Sequence, residues 1–407
     1  MLDFPKLSAA YQEALLESVI PFYLKNSPDN RCGGFFDGLS DSGEPFDTDK
    51  FIGQQARQTW AFAKLYTTIG GNEAWLNHAR HGANFLYQFA HSETLQCYAT
   101  VDRLGRPVAP AMDACTDAAV VMTYCQLHRA TGNDEWAMLA KQTLAGLLDR
   151  RDNERTNQLQ TLTGFRLLRH LSEPIAVLQA LMESLSLLSE QDWKESTQLV
   201  LHELLNEFLD KRQDILREYV QPEGAFLNTH EGRRLNVGLT FRAANVAHKL
   251  ANVTGNRKLA IQAAAWTVQV CEWAWDEATG GLDQWVDIKN QPLPYPDWKQ
   301  RWAWVHLESL SGLINAYFYT RHPDAPKWLQ RIHDYTFQHF PDTEKGGWYL
   351  ALTRQAKPLF AAKSTPANGC SDLIIPLLES WQTAEQCAKL KPGLVLNRGG
   401  APGRRVV

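Results

Sequence analysis

The chain has 407 residues, a length that by itself suggests two or three ordinary domains. Its content of 44% hydrophobic and 21% charged residues is that of a folded protein and excludes a disordered or fibrous chain. With 41 basic against 45 acidic residues the net charge is -4, so the totals carry no footprint for nucleic acid or an anionic membrane, and neither is an expected partner.

From the N-terminus, Met1 to Leu7 carries Asp3 and shows no basic segment followed by an apolar run, so no secretory signal is expected. No stretch reaches the roughly 18 uncharged apolar residues of a membrane span. The seven cysteines are odd in number, dispersed and without a CxxC pair, which points to reduced thiols and a cytoplasmic location. Aromatic residues reach 11% with 14 tryptophans, and because flat rings with a polar edge stack on sugar faces, carbohydrate becomes the first ligand class to weigh.

A two-part phrase recurs along the chain: a glycine and aromatic start, a polar turn, then a return segment, each read as a short hairpin. Its copies are Gly33-Gly34-Phe35-Phe36 with Asp41 to Glu44, Cys97 to Thr100 with Arg103 to Pro107, Gly224 to Leu227 with His230-Glu231-Gly232, Gly280-Gly281-Leu282 with Lys289 to Pro292, and Gly346 to Tyr349 with Arg354 to Pro358. A sixth, degenerate copy is expected near Thr163-Gly164-Phe165. Between them, Phe51 to Tyr66, Ala118 to Leu127, Ile175 to Leu188 and Leu310 to Tyr319 carry apolar residues at helical spacing. Loop signals such as Thr131-Gly132-Asn133-Asp134 and Thr254-Gly255-Asn256 divide the helices into pairs.

Six units of two helices, none able to bury its apolar face alone, close most simply into one all-α ring, an (α/α)6 barrel with hairpins walling a pocket at one end. This reduces the domain count to one, over residues 1–390, with a Gly, Pro and Arg-rich flexible tail over 391–407. A linear helical solenoid is the alternative.

The residues then resemble a family. The run from Gly33 to Phe36 through Gln54-Gln55-Ala56-Arg57-Gln58-Thr59-Trp60, Asp102 to Val108, Ser172-Glu173 opening a helix, Asn236-x-Gly238, Trp298 with Trp304-Val305-His306-Leu307-Glu308, Gly346-Gly347-Trp348, and Lys363-x-x-Pro366-x-x-Gly369-Cys370 together resemble the N-acylglucosamine 2-epimerase superfamily. That superfamily of (α/α)6 barrels also holds cellobiose 2-epimerases and aldose-ketose isomerases of mannose or sulfoquinovose. The resemblance implies opening of a sugar ring and removal of the proton next to the carbonyl through an enediolate; no HExxH, CxxC or HxH pattern and no GxGxxG or GxxxxGK pattern occurs, so no metal and no cofactor are expected. Two histidines serve as acid and base, because imidazole titrates near neutrality. At the family's first histidine position this chain carries Leu239, with Arg242 one turn on in place of a glutamate, and at the second it carries Asp372.

The resemblance therefore nominates His306, Asp372 and Arg57 as catalytic, and Glu173, Asn236, Arg242, Trp298, Arg301, Trp304 and Glu308 as sugar-binding. Trp298, Arg301, Trp304 and Glu308 fall three or four apart, which on a helix makes a stacking platform flanked by hydroxyl-binding groups. Each also has a plainer role open to it: Arg57 as an ion-pair partner between helices, His306 as a satisfied core residue, and Glu173 as a charge complementing a helix dipole. Arg242 in place of a carboxylate suits an acidic or phosphorylated sugar, or marks drift after loss of the reaction. Asp113 and Asp117, four apart, read as helix capping or as a carboxylate pair. Three functions stay open: a sugar epimerase or isomerase, a non-catalytic sugar-binding relative, and a glycoside hydrolase pairing Asp113 or Asp117 with Asp372 or Glu308. A homodimer is compatible with each.

Overall fold

The computed structural model describes residues 2–111, 113–158, 168–295 and 298–390. The expected degenerate repeat near Thr163-Gly164-Phe165 and the tail expected from residue 391 lie outside the described residues.

The helices alternate between an outer and an inner layer. Outer α1 (Phe4–Glu13) and α2 (Ile20–Asn26), joined through a widened turn at Ala14–Val19, precede inner α3 (Ile52–Ile69) and outer α4 (Glu73–Phe89). Inner α5 (Ala114–Thr131) with outer α6 (Asp134–Gln158) and inner α7 (Ser172–Glu183) with outer α8 (Glu190–Glu203) follow. After the one-turn α9 (His230–Arg233) come inner α10 (Val237–Thr254) with outer α11 (Arg257–Ala274), inner α12 (Ala303–Thr320) with outer α13 (Ala325–His339), and inner α14 (Ser371–Ala388). Among the described residues the inner helices touch in a closed circle, α3 to α5 to α7 to α10 to α12 to α14 and back to α3, and α1 packs behind α14. The ring is the expected (α/α)6 toroid, not a linear solenoid. Its inner helices are hydrophobic on nearly every face because both sides are covered, as in α12, where Ala303 to Ala316 is buried without a break. The outer helices show one apolar stripe, for example Trp75, Leu76, Ala79, Ala83 and Leu86 in α4.

The repeated phrase behaves differently from a set of independent hairpins. Tyr98–Val101 and Pro107–Pro110 fold back on one another, as do Leu209–Asp210 and Ile215–Leu216, and single antiparallel bridges Leu39 to Pro45 and Leu352 to Pro358 close the turns of the first and last copies, but further ladders join neighbouring units. The strands that open α3, α7, α10 and α12 pair with the next unit: Lys50–Phe51 with Tyr98–Val101, Arg169–His170 with Tyr219–Val220, Arg234–Asn236 with Trp285–Asp287, and Arg301–Trp302 with Ala351–Leu352. The last, Ala362–Ser364, returns to Leu39–Ser40 and closes the crown. The expected hairpin at Gly224 is absent: Pro222–Gly224 is a single 3-10 turn and His230–Arg233 is helical. The helix expected over Ile175 to Leu188 stops at Glu183, where Ser184 turns its hydroxyl back onto the carbonyl of Ala180.

Three copies of the phrase share a clamp. Asp29, Asp276 and Asp342 each stand four residues before a glycine pair, and backbone bonds of 2.8–3.0 Å close the turn between aspartate and glycines. The glycines are required there, since Gly33 and Gly34 have φ of 80° and 65°. Each aspartate binds a buried cation on the strand that opens the next inner helix: Lys50 at 3.1 Å, Arg301 at 2.8 Å and Lys363 at 2.8 Å. The crown is thereby bolted to the N-terminal ends of the inner helices, which fixes where a pocket can form.

Candidate active site

Among the described residues, two chambers that share part of their lining lie inside the ring. The smaller, about 90 Å3, sits at the crown end and takes Arg57 from α3, Cys115 from α5, Ser172 and Ala176 from α7, Leu239 from α10, and Asp372 from α14. These positions recur at helical spacings of three and four, as in Ser172, Ile175, Ala176 and Gln179, because one face of each inner helix points to the axis. The larger chamber, about 420 Å3, lies toward the inner-helix C-termini and contains Lys64, Arg129, Glu183, Lys249 and Glu379. Trp60, Met122, Gln179, Arg242, Glu308 and Ile375 line both and form the partition.

At the centre of the partition Arg242 bridges two carboxylates. Its Nε donates to Glu308 Oε1 at 2.7 Å and a terminal nitrogen to Asp372 Oδ1 at 3.0 Å. Glu308 Oε2 accepts from Asn245 at 2.9 Å, and Asp372 Oδ2 accepts from the backbone N–H of Gly369 at 3.1 Å. Burial pulls the guanidinium of Arg242 down, but the two carboxylates outweigh it and hold its pKa above the ordinary arginine value. Arg242 is thus neutralised by acids of its own chain and is not a free receptor for the acidic sugar expected from the sequence. Its guanidinium lies 5.0 Å from the ring centroid of Trp304, and a Cβ at Gly238 would collide with that ring, which gives the Asn-x-Gly motif a packing reason.

Arg57 is different. Its Nε donates to the carbonyl of Gly53 at 3.3 Å, and among the described residues no carboxylate pairs with it. The expected alternative of an ion pair between helices is not what the structure has; a cation faces the small chamber on the side opposite the Arg242 bridge.

Other nominated residues lie elsewhere. His306 is fully buried outside both chambers, with Nδ1 donating to the carbonyl of Trp302 at 2.8 Å and Nε2 accepting from the N–H of Leu282 at 3.0 Å. Burial pushes its pKa down to about 3, and Tyr335 and Phe340 cover its faces, so it is a neutral core residue pinning the Gly280-Gly281 turn rather than an acid or base. Arg301 is the clamp to Asp276 and does not reach the cavity. Asn236 caps α10 by accepting from the N–H of Leu239 at 3.0 Å. The tryptophan stripe also dissolves, because α12 starts only at Ala303: Trp298 lies in a loop and Arg301–Trp302 is a strand. Trp304 packs under Arg242, and Trp348 is buried against Phe337; neither lines a chamber. Glu173 sits in the first turn of α7, and it is its neighbour Ser172 that lines the cavity. Asp113 caps α5 on the N–H of Cys115 at 2.8 Å, Asp117 binds Arg150 and the N–H of Cys97, and neither is among the residues that line the chambers. Ser172, Gln179 and Met122 were not singled out; the spacing of α7 and α5 was the signal that could have found them. Among the described residues no histidine lines either chamber.

In the larger chamber Glu183 accepts from Lys64 at 2.7 Å, from Trp60 at 3.1 Å, from Gln126 at 3.1 Å and from Arg129. Burial pushes this carboxyl up, yet Lys64 and Arg129 outweigh it and hold it at about 2. A folded value below the unfolded one means stability that is complete above about pH 4.5 and lost as pH falls toward 2. A shift of this size corresponds to about 3 kcal/mol. Urea midpoints measured between pH 2 and 7 should therefore fall steeply below pH 4.5, and Glu183→Gln should flatten that segment while lowering the midpoint at neutral pH.

A closed ring of paired helices with a polar chamber beneath a crown of short strands is an (α/α)6 toroid built to enclose a small polar molecule. The N-acylglucosamine 2-epimerase (GlcNAc 2-epimerase) family matches residues 34–369, and the chain belongs to that family. It is 26% identical over 371 residues to the N-acylglucosamine 2-epimerase of Mus musculus, covering 88% of this chain and 87% of that one. In fold it is similar to the cellobiose 2-epimerase of Bacillus thermoamylovorans B4167, with a TM-score of 0.80 at 20% identity, covering 93% of this chain and 99% of the other. A D-mannose isomerase superposes with a TM-score of 0.78 at 17% identity, covering 93% and 98%.

Proposed function

We propose that this protein is a sugar isomerase that moves a proton between the carbonyl carbon of an open-chain aldose and its neighbour through an enediolate. Asp372 is the base, and Arg57 holds the oxygen on which negative charge develops. The observation that carries this reading is the make-up of the small chamber, where Asp372 and Glu308 share the wall with Arg57, which pairs with no carboxylate among the described residues, while Leu239 occupies the other proton-transfer position. Epimerisation by two bases needs a proton donor on each face of the carbon, and a leucine supplies none. Aldose-ketose isomerisation takes a proton from C2 and returns it to C1 on one face, so a single base suffices. The relatives named above act, by their names, on acylglucosamine, cellobiose and mannose, which supports a neutral sugar as substrate. No redox step is involved, so the route calls for no redox cofactor. Every inner helix lends a side chain to the chambers, which supports reading the ring as one functional unit. The free thiols suit a reducing compartment, and we place the reaction in the cytosol.

The test is proton exchange. Incubation with D-mannose, N-acetylmannosamine and cellobiose in deuterated water should place deuterium next to the carbonyl of at least one of them, with a ketose appearing from the aldose that exchanges. No exchange in any of the three overturns the reading. A second reading, a sugar-binding relative without turnover, is favoured by Arg242 holding both carboxylates. It predicts saturable binding of the same sugars by calorimetry with no exchange. The hydrolase alternative is less supported, since neither Asp113 nor Asp117 is among the residues lining the chambers and a guanidinium bridges Asp372 and Glu308.

A further inference from the structure

The geometry points to a second proton-handling unit at the small chamber, a Ser172–His170–Glu218 relay that moves the hydroxyl proton of the sugar while Asp372 moves the carbon-bound one. The inference rests on the isomerase reading of Asp372.

Ser172, at the start of α7, lines the chamber, and its Oγ lies 2.6 Å from His170 Nδ1. The backbone N–H of Ser172 also points at Nδ1, at 3.3 Å. A backbone N–H can only donate, so Nδ1 is the unprotonated acceptor and the Ser172 hydroxyl donates to it. The ring proton is then on Nε2, which faces Glu218 Oε1 at 3.3 Å. Glu218 is buried, and its carboxylate is held by Arg234 and by Asn236 Nδ2 at 3.0 Å. Burial pushes Glu218 up, but His170, Arg234 and Asn236 outweigh it and keep it charged. The order hydroxyl, imidazole, carboxylate is the arrangement that activates an oxygen for proton transfer.

An isomerisation needs such a unit because two protons change place. Asp372 takes the proton on C2, the electron pair left behind forms the C1–C2 double bond, and the carbonyl pair moves onto O1 beside Arg57. The proton on O2 passes to Ser172 Oγ as the proton of Ser172 passes to His170 Nδ1, giving an imidazolium balanced by Glu218. In the second half His170 returns its proton to Ser172, whose proton goes to O1, while the pair on O2 forms the new carbonyl and C1 takes the proton from Asp372. Nothing outside sugar and protein is consumed. Several other groups on the chamber wall do not serve: the guanidinium of Arg57 has no acceptor atom, Leu239 is inert, Glu308 is held by Arg242 and Asn245, and burial pushes the thiol of Cys115 up to about 12.

Two measurements test this. Nitrogen-15 spectra of histidine-labelled protein should show His170 as the Nε2–H tautomer with a hydrogen-bonded Nδ1, and Ser172→Ala should move the Nδ1 resonance; an Nδ1–H tautomer overturns the relay whatever the enzyme does with sugar. With D-mannose in deuterated water, Ser172→Ala and His170→Gln should keep deuterium uptake at C2 within about threefold of wild type, while kcat for ketose formation falls about 10²-fold and KM changes little. A purely structural role would lower exchange and turnover together, and that result, or unchanged turnover, overturns the relay. If wild type neither exchanges nor converts D-mannose, that arm counts against the Asp372 reading for this sugar, and the tautomer decides the relay independently.

Discussion

Replacing Arg242 with methionine should destabilise the protein by about 3–5 kcal/mol, because it strands two buried carboxylates that now share one guanidinium. The side chain of Asp372 is 4% exposed and that of Glu308 11%, so water replaces the lost contacts poorly. Asn245 and the N–H of Gly369 would remain as donors, one to each acid, and they do not neutralise charge. Urea unfolding followed by tryptophan fluorescence reads the loss directly. A triple variant, Arg242→Met with Glu308→Gln and Asp372→Asn, should recover much of it, since an uncharged partition no longer needs a cation. If the single variant is as stable as wild type, the bridge is not the centre of the partition's energetics.

Asp372→Asn should abolish turnover by a factor of 10³ or more, of the order expected when a positioned base is removed, while leaving sugar affinity within a few-fold. The amide keeps the size of the side chain and its bond from Arg242 but cannot accept a proton from carbon. The same variant should lose deuterium exchange next to the carbonyl, which separates it from the Ser172 and His170 variants. Because Asn at 372 leaves the guanidinium of Arg242 with one acid in place of two, stability should be measured alongside, so that a folding defect is not read as chemistry. Full activity in this variant would remove Asp372 from the reaction.

The ring was legible in the sequence because its signals are local: apolar residues at helical spacing, Thr-Gly-Asn loops between helices, and glycine pairs at the turns. The crown ladders were not, since Lys50–Phe51 finds its partner at Tyr98–Val101 and Ala362–Ser364 finds its partner near the N-terminus, which no local pattern encodes. At the site, Arg57, Arg242, Glu308 and Asp372 line the small chamber. His306, Asn236 and Arg301 do not, and the reason is common to all three: each is a buried polar residue whose partners are a backbone group or a distant acid. Sequence spacing cannot distinguish such a residue from one aimed at a ligand. The aspartates four residues ahead of the glycine pairs were visible all along, and their repetition with Lys50, Arg301 and Lys363 was a signal of architecture.

That clamp has an evolutionary meaning. The residues that bolt crown to ring, Asp29, Asp276 and Asp342 with their cations, share no member with the residues that face the chambers. Substitutions at inner-helix positions such as 239, 242 and 372 therefore leave every bolt in place. A ring so divided can change the groups that face its chambers, the Glu308–Arg242–Asp372 bridge among them, while the crown stays where it is.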